Sequence, residues 1–195
     1  MNLAEIRETL AKWLVKPLVP ILSRLRLKPD TLTLIGLAIN GVAAAAIATR
    51  YLLWAGLLVL FSGLFDLLDG ALARLTNQAT SFGALLDSVV DRFSEAVLFL
   101  GLLVLYLREP SRLEIVLVFL TLLGSFLISY IRARAEGLGI QCRIGWFTRA
   151  ERVVVLALGL LLNQILIALL ILVTLTFVTV GQRLVYVWQK SSRRN

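Results

Sequence analysis

The chain has 195 residues, 59% of them hydrophobic, and a mean hydropathy of +0.88, which lies outside the range of ordinary soluble domains. Its formal net charge of +8 does not mark a nucleic-acid binder, because the cations fall in the breaks between apolar stretches and not along one soluble face. A single cysteine, Cys142, excludes an internal disulfide, and the absence of histidine removes the commonest transition-metal ligand, so any metal site must be built from oxygen.

From the start of the chain, Leu3, Ile6, Leu10, Trp13 and Leu14 recur at helical spacing while Arg7, Lys12 and Lys16 stay polar. This pattern predicts an amphipathic helix lying in the membrane interface within residues 1–28, and no cleavable signal peptide. The Lys28-Pro29-Asp30-Thr31 break predicts a turn with Asp30 or Thr31 capping the next helix. Six apolar runs follow and predict transmembrane helices at 32–49, 52–75, 81–107, 113–136, 147–162 and 165–188. The expected fold is therefore an all-α polytopic membrane domain over residues 29–190, with a basic tail at 191–195.

The first of these helices is rich in Ala and Gly over residues 36–48, which lets neighbouring backbones approach closely. The second and third form a hairpin around Asn77. Cations gather before the first span (Arg24, Arg26, Lys28), around one later break (Arg132, Arg134, Arg143, Arg149, Arg152) and in the tail (Lys190, Arg193, Arg194). The breaks near Arg50, at 108–114 and at Asn163-Gln164 carry far less positive charge. The positive-inside rule then predicts a multi-pass protein of the cell membrane with both termini, and the functional end, in the cytoplasm.

Four carboxylates interrupt the apolar pattern: Asp66 and Asp69 in the second helix, Asp87 and Asp91 in the third. Each costs roughly 2.5–3.5 kcal/mol at the centre of a membrane helix, so each needs compensating charge. Spacings of three and four put each pair on one helical face, and the short hairpin is expected to turn the two faces together. Hard divalent cations with oxygen ligands, Mg²⁺ or Mn²⁺, remove the repulsion among four acids. Gly70 and Gly83 leave room beside them for a phosphate-bearing ligand, and Arg74 is placed to meet such a phosphate or to pair with an aspartate. Two other readings share the same residues: a structural ion-pair network of the four acids with Arg74 and Arg92, and a cation transporter, which would spread its carboxylates along a path through the bilayer.

The segment Asp66-Leu67-Leu68-Asp69-Gly70-Ala71-Leu72-Ala73-Arg74, eight residues, then Gly83-Ala84-Leu85-Leu86-Asp87-Ser88-Val89-Val90-Asp91 resembles the complete signature of the CDP-alcohol phosphatidyltransferases. The resemblance implies an enzyme of phospholipid synthesis that moves the phosphatidyl group of CDP-diacylglycerol to an alcohol and releases CMP. It implies two metal ions on Asp66, Asp69, Asp87 and Asp91, with Asp91 also the general base. It further implies CDP-lipid contacts at Gly70, Arg74 and Thr80 and at Pro29, Asp30, Thr31 and Leu32, and a homodimer. For Thr80 a helix N-cap is an equally good reading.

Arg132 and Arg149 flank a glycine-containing loop at the expected mouth of the site, where a phosphorylated acceptor would need cations; anchoring to anionic headgroups is the competing reading. These segments, together with Gln182-Arg183-Leu184, resemble the branch of the family that makes phosphatidylinositol phosphate from inositol phosphate, which implies Arg132, Arg149 and Arg183 as acceptor-phosphate ligands. Snorkelling to the interface is the alternative for Arg183. Arg132 stands where that branch often has lysine and Thr148 where it commonly has glutamate, so synthesis of phosphatidylglycerophosphate from glycerol 3-phosphate is the second reading.

Overall fold

The computed structural model describes residues 28–75, 80–108, 111–142 and 144–192, without the side chains of Arg74 and Leu75. The expected interfacial helix, the turn at Asn77 and the end of the basic tail lie outside the described residues. Within them the chain forms six α-helices and no strand: α1 (Pro29–Ala48), α2 (Leu52–Leu75), α3 (Ser81–Arg108), α4 (Arg112–Gly137), α5 (Arg149–Leu161) and α6 (Ile165–Ser192). All six stand where the apolar runs predict them.

The start of α1 differs from the expected cap. Lys28 is the extended N-cap residue and Pro29 is the first helical residue, because proline has no N–H to leave unpaired and its φ is already helical. Asp30 sits in the first turn, where its charge complements the helix dipole. At the other end the chain reverses through Arg50 at φ 63°, and the Tyr51 N–H returns to Ala46 O at 2.9 Å. Asn163, at φ 53°, makes the equivalent reversal between α5 and α6, with Gln164 N bonded to Gly159 O at 2.8 Å.

The helices close into a ring. Through their extensive contacts α1 packs on α2 and α3, α2 on α5, α5 on α6, α6 on α4, and α4 on α3. Helix α1 packs on both α2 and α3, and the acidic faces of α2 and α3 come together beside it, as the carboxylate spacing predicts. Its small residues make this possible. A Cβ on Gly101 of α3 would lie 2.6 Å from Ala44 O and 2.9 Å from Ala44 Cα, so the α1 and α3 backbones touch where neither carries bulk.

One half of the ring is filled by apolar side chains, including Ile47, Val59, Phe99, Leu102, Leu160, Leu169 and Leu172, all fully or almost fully buried. The outer faces expose Val42, Trp54, Phe61, Phe93, Phe119 and Leu170, an inverted arrangement that suits a lipid surrounding. Among the described residues, four helical stretches are long and apolar enough to cross a membrane: Pro29–Ala48, Leu52–Ala73, Arg112–Gly137 and Ile165–Ser192. The expected six are reduced to four by this criterion. Helix α5 is only 13 residues long, and α3 carries Asp87, Asp91, Arg92 and Glu95 within two and a half turns of one another.

Gly101→Ala should lower the thermal unfolding midpoint in detergent, by the equivalent of about 1–3 kcal/mol, because the added methyl meets backbone that cannot yield. Gly41→Ala, whose Cβ would meet nothing within 4 Å, should leave the midpoint unchanged or raise it.

Candidate active site

The polar half of the ring is organised by the ends of α1, α2, α3 and α5. Asp66 and Asp69 project from the second half of α2, Asp87 and Asp91 from the first half of α3. Asp69 is 5% exposed, and Thr33 of α1 donates its hydroxyl to Asp69 Oδ2 at 2.6 Å. Asp87 lies within electrostatic reach of Asp66, Asp69 and Asp91. The four acids thus occupy one locality, as expected, although α1 and α5 complete it and not the hairpin alone.

Arg149, on the first turn of α5, supplies the compensating charge. Its Nη1 lies 2.8 Å from Asp66 Oδ2 and 2.5 Å from Asp91 Oδ1, so one nitrogen joins α2 to α3. The turn that carries it is held by Glu151, which accepts the Thr148 N–H at 2.8 Å and also bonds the Thr148 hydroxyl. Arg92 is only loosely associated, 3.6 Å from Asp91, with its N–H groups directed to Ser88 O at 2.7 Å and Ser129 Oγ at 3.1 Å. Among the described residues an ion-pair network is thus present, with Arg149 and not Arg92 at its centre. The Arg74 side chain lies outside the described residues.

Among the described residues no three acids converge as a preformed metal cage. The donor set nevertheless fits a hard divalent cation: the acids offer only oxygen, Thr33 fixes the orientation of Asp69, and the Arg149 guanidinium stands in for a cation between Asp66 and Asp91. The acids gather at one end of the ring while its other half is apolar core, so the carboxylate path expected of a transporter is not seen among the described residues.

The residues expected to touch a CDP-lipid come together partly. Pro29, Asp30, Thr31 and Leu32 form the first turn of α1, with Leu32 buried and Thr31 exposed. Thr80 accepts the Gly83 N–H at 2.9 Å, which makes it the N-cap of α3. A Cβ on Gly83 would lie 3.1 Å from Thr80 Oγ1 and 3.3 Å from Asp30 Oδ1, so the starts of α1 and α3 meet there. Gly70, half-buried, follows Asp69 on α2.

The three arginines expected at the acceptor phosphate have different surroundings. Arg149 is engaged by the acids. Arg132 is exposed near the end of α4 and pairs with Glu136 at 2.9 Å. Arg183 is 6% exposed and does not snorkel: its Nε donates to Ile144 O at 3.0 Å and its Nη1 to Ile128 O at 2.6 Å, one turn before Arg132. It pins the 138–148 loop to α4 and α6. Gly145, at φ 131°, lets that loop pass over it, since a Cβ there would lie 2.9 Å from Thr179 Cγ2 and 3.3 Å from Arg183 Nε.

Sequence reading missed the layer beneath. Glu95, four residues beyond Asp91, accepts from Arg152 Nε at 2.7 Å and Nη2 at 3.2 Å, and from Ser125 Oγ at 2.5 Å. Asn40 and Ser62 bond each other nearby at 2.8 Å. Glu95, Arg152, Asn40 and Ser62, with Asp66 and Arg149, line a void of about 10 Å³. The signal was present, because Glu95 extends the Asp87, Asp91 spacing by one more turn and Arg152 follows Arg149 by three residues.

Residues 26–182 match the profile of the CDP-alcohol phosphatidyltransferase family. The chain is 35% identical over 177 residues to the archaetidylinositol phosphate synthase of Methanothermobacter thermautotrophicus, covering 88% of each chain. It is 35% identical over 187 residues to the phosphatidylinositol phosphate synthase of Mycobacteroides abscessus, covering 91% of this chain and 84% of that protein. Among solved structures, the fold is similar to the phosphatidylinositol phosphate synthase of Mycobacterium tuberculosis with CDP-DAG bound, with a TM-score of 0.82, 31% identity and coverage of 89% and 93% of the two chains. The same enzyme in complex with manganese and citrate matches with a TM-score of 0.81, 31% identity and coverage of 89% and 88%.

If Arg149 is the internal counter-charge, Arg149→Gln should destabilise the protein in excess EDTA by about 2 kcal/mol, between the cost of breaking an exposed pair and a fully buried one. Thermal unfolding with and without Mn²⁺ checks this; the deficit should shrink as Mn²⁺ is added.

Proposed function

The chain belongs to the CDP-alcohol phosphatidyltransferase family, and from that membership we propose that it transfers the phosphatidyl group of CDP-diacylglycerol to inositol phosphate, giving phosphatidylinositol phosphate and CMP. The observation that carries the reading is the single Arg149 nitrogen shared by Asp66 and Asp91, which sets a phosphate-binding cation against the proposed base. The relatives support the acceptor more than the lipid. Their names share inositol phosphate and differ in the lipid to which it is joined. Glycerol 3-phosphate, also a phosphate monoester, would meet the same arginines, and it is the names of the relatives that favour inositol phosphate.

Asp66, Asp69, Asp87 and Asp91 would hold the divalent metal, two ions of Mg²⁺ or Mn²⁺, whose chemistry is to neutralise charge on the pyrophosphate and on departing CMP. Thr33 keeps Asp69 oriented for that task. Gly70, Arg74, Thr80 and the first turn of α1 (Pro29, Asp30, Thr31, Leu32) would receive the CDP-lipid. The close approach of Asp30, Gly83 and Thr80 puts the last two of these groups side by side.

In the transfer an acceptor hydroxyl oxygen bonds to the phosphorus that carries the diacylglycerol. The bond from that phosphorus to the bridging oxygen breaks, and CMP leaves with that oxygen. Asp91 takes the hydroxyl proton. A carboxylate is a weak base for an alcohol, so orientation of the acceptor must contribute much of the rate. Arg149 supplies orientation by exchanging its carboxylate partners for the acceptor phosphate, with Arg132 and Arg183 on the same end of the ring.

We place the protein in the cell membrane as a homodimer, with both termini and the site on the cytoplasmic side. Helices α3 and α5 also cross, with their charged faces turned into the ring, within a membrane domain over 29–190 preceded by the interfacial segment 1–28 and followed by the tail 191–195.

A purified-enzyme assay of CMP release from CDP-diacylglycerol in Mg²⁺ or Mn²⁺ should show turnover with inositol phosphate and none with free inositol or serine. Turnover with serine alone would overturn the phosphate role of Arg132, Arg149 and Arg183, and preference for glycerol 3-phosphate would replace the acceptor. Asp91→Asn should lose at least about 10²-fold in turnover, the range of a general base; full activity would remove that role.

A further inference from the structure

Glu95 is a further buried carboxylate of the ring, one turn beyond Asp91 on α3, and it takes no part in the transferase signature. We propose that Glu95 and Arg152, backed by Ser125, are positioning residues that set the start of α5 so that Arg149 reaches the acceptor phosphate. The inference rests on the reading of Arg149 as a ligand of that phosphate.

Two rungs cross the interior of the ring from α3 to α5. Asp91 and Glu95 lie one turn apart on α3, Arg149 and Arg152 one turn apart on α5, and they pair in order. Helix α5 packs extensively on α2 and α6 but not on α3, so these rungs are the polar tie between the helix of the proposed base and the helix of the proposed phosphate ligand.

The rungs are unequal. Arg152, 3% exposed, grips Glu95 as a fork, with Nε at 2.7 Å from Oε1 and Nη2 at 3.2 Å from Oε2, and Ser125 of α4 closes on Oε2 at 2.5 Å. A fork fixes the plane of the guanidinium as well as its distance. Arg149 instead meets both its acids through Nη1 alone, and its buried Nε has no hydrogen-bond partner among the described residues. Attachment at one nitrogen lets the outer guanidinium change partners, while the inner fork holds the depth and rotation of α5. Stability alone is a poor reason for such a pair, because a buried ion pair is often replaced by apolar residues without loss.

The test is the double variant Glu95→Leu with Arg152→Met, which leaves no buried charge unpaired, assayed by CMP release and by calorimetric binding of inositol phosphate. Positioning predicts an acceptor KM and Kd raised about tenfold, with kcat and the KM for CDP-diacylglycerol within about twofold of wild type. An unchanged acceptor KM, or an equal loss in every parameter, overturns the proposal. Ser125→Ala serves if the double variant does not fold. It removes one hydrogen bond to Glu95 and should raise the acceptor KM about threefold, and no change overturns the proposal. Wild type assayed in parallel separates the two levels: no CMP release with any phosphorylated acceptor overturns the parent reading and this one with it, whereas an active wild type beside an unaffected variant overturns this one alone.

Discussion

Acidic side chains inside an apolar helical assembly need partners, positive charge above all, and this requirement orders much of the polar half of the ring. Asp66 and Asp91 share one guanidinium nitrogen of Arg149, and Glu95 is forked by Arg152. Both cations come from the short helix α5. A helix of 13 residues is a weak membrane element by length, and its place in the ring depends on the charges it brings as well as on its apolar face.

The same requirement explains why α3, long enough to cross, falls short of the hydropathy expected of a span, whereas α5 falls short in length. The charged residues of α3 and α5 are directed at one another, while apolar residues such as Phe93 and Val154 occupy the outer surface. Mean hydropathy counts a residue without regard to the side it faces. The small residues of α1 solve a separate problem. By letting α1 lie against both α2 and α3, they bring Thr33 to Asp69 and Asp30 to the start of α3.

Division of labour along the ring follows. The half around Phe99, Leu102 and Leu169 is packed with apolar side chains, and the other half holds the aspartates and Arg149. Between them Asn40, Ser62, Ser125 and Glu95 form a transition layer in which the polar groups named here find partners within the protein.

The sequence by itself determined the six helices, their order and the four aspartates, because apolar run length and carboxylate spacing are local properties that survive in one dimension. The family signature was legible for the same reason: its eight positions lie within 26 consecutive residues. Only the tertiary structure decided that α1 packs on both α2 and α3, that Arg149 and not Arg92 bridges the acids, that Arg183 pins a loop by two carbonyls, and that Glu95 has Arg152 as its partner. These partners lie between 36 and 83 residues apart in the chain for Thr33 with Asp69, Arg183 with Ile144, Glu95 with Arg152 and Asp66 with Arg149. Charge pairing across helices depends on which faces the ring turns inward, and no local pattern carries that information.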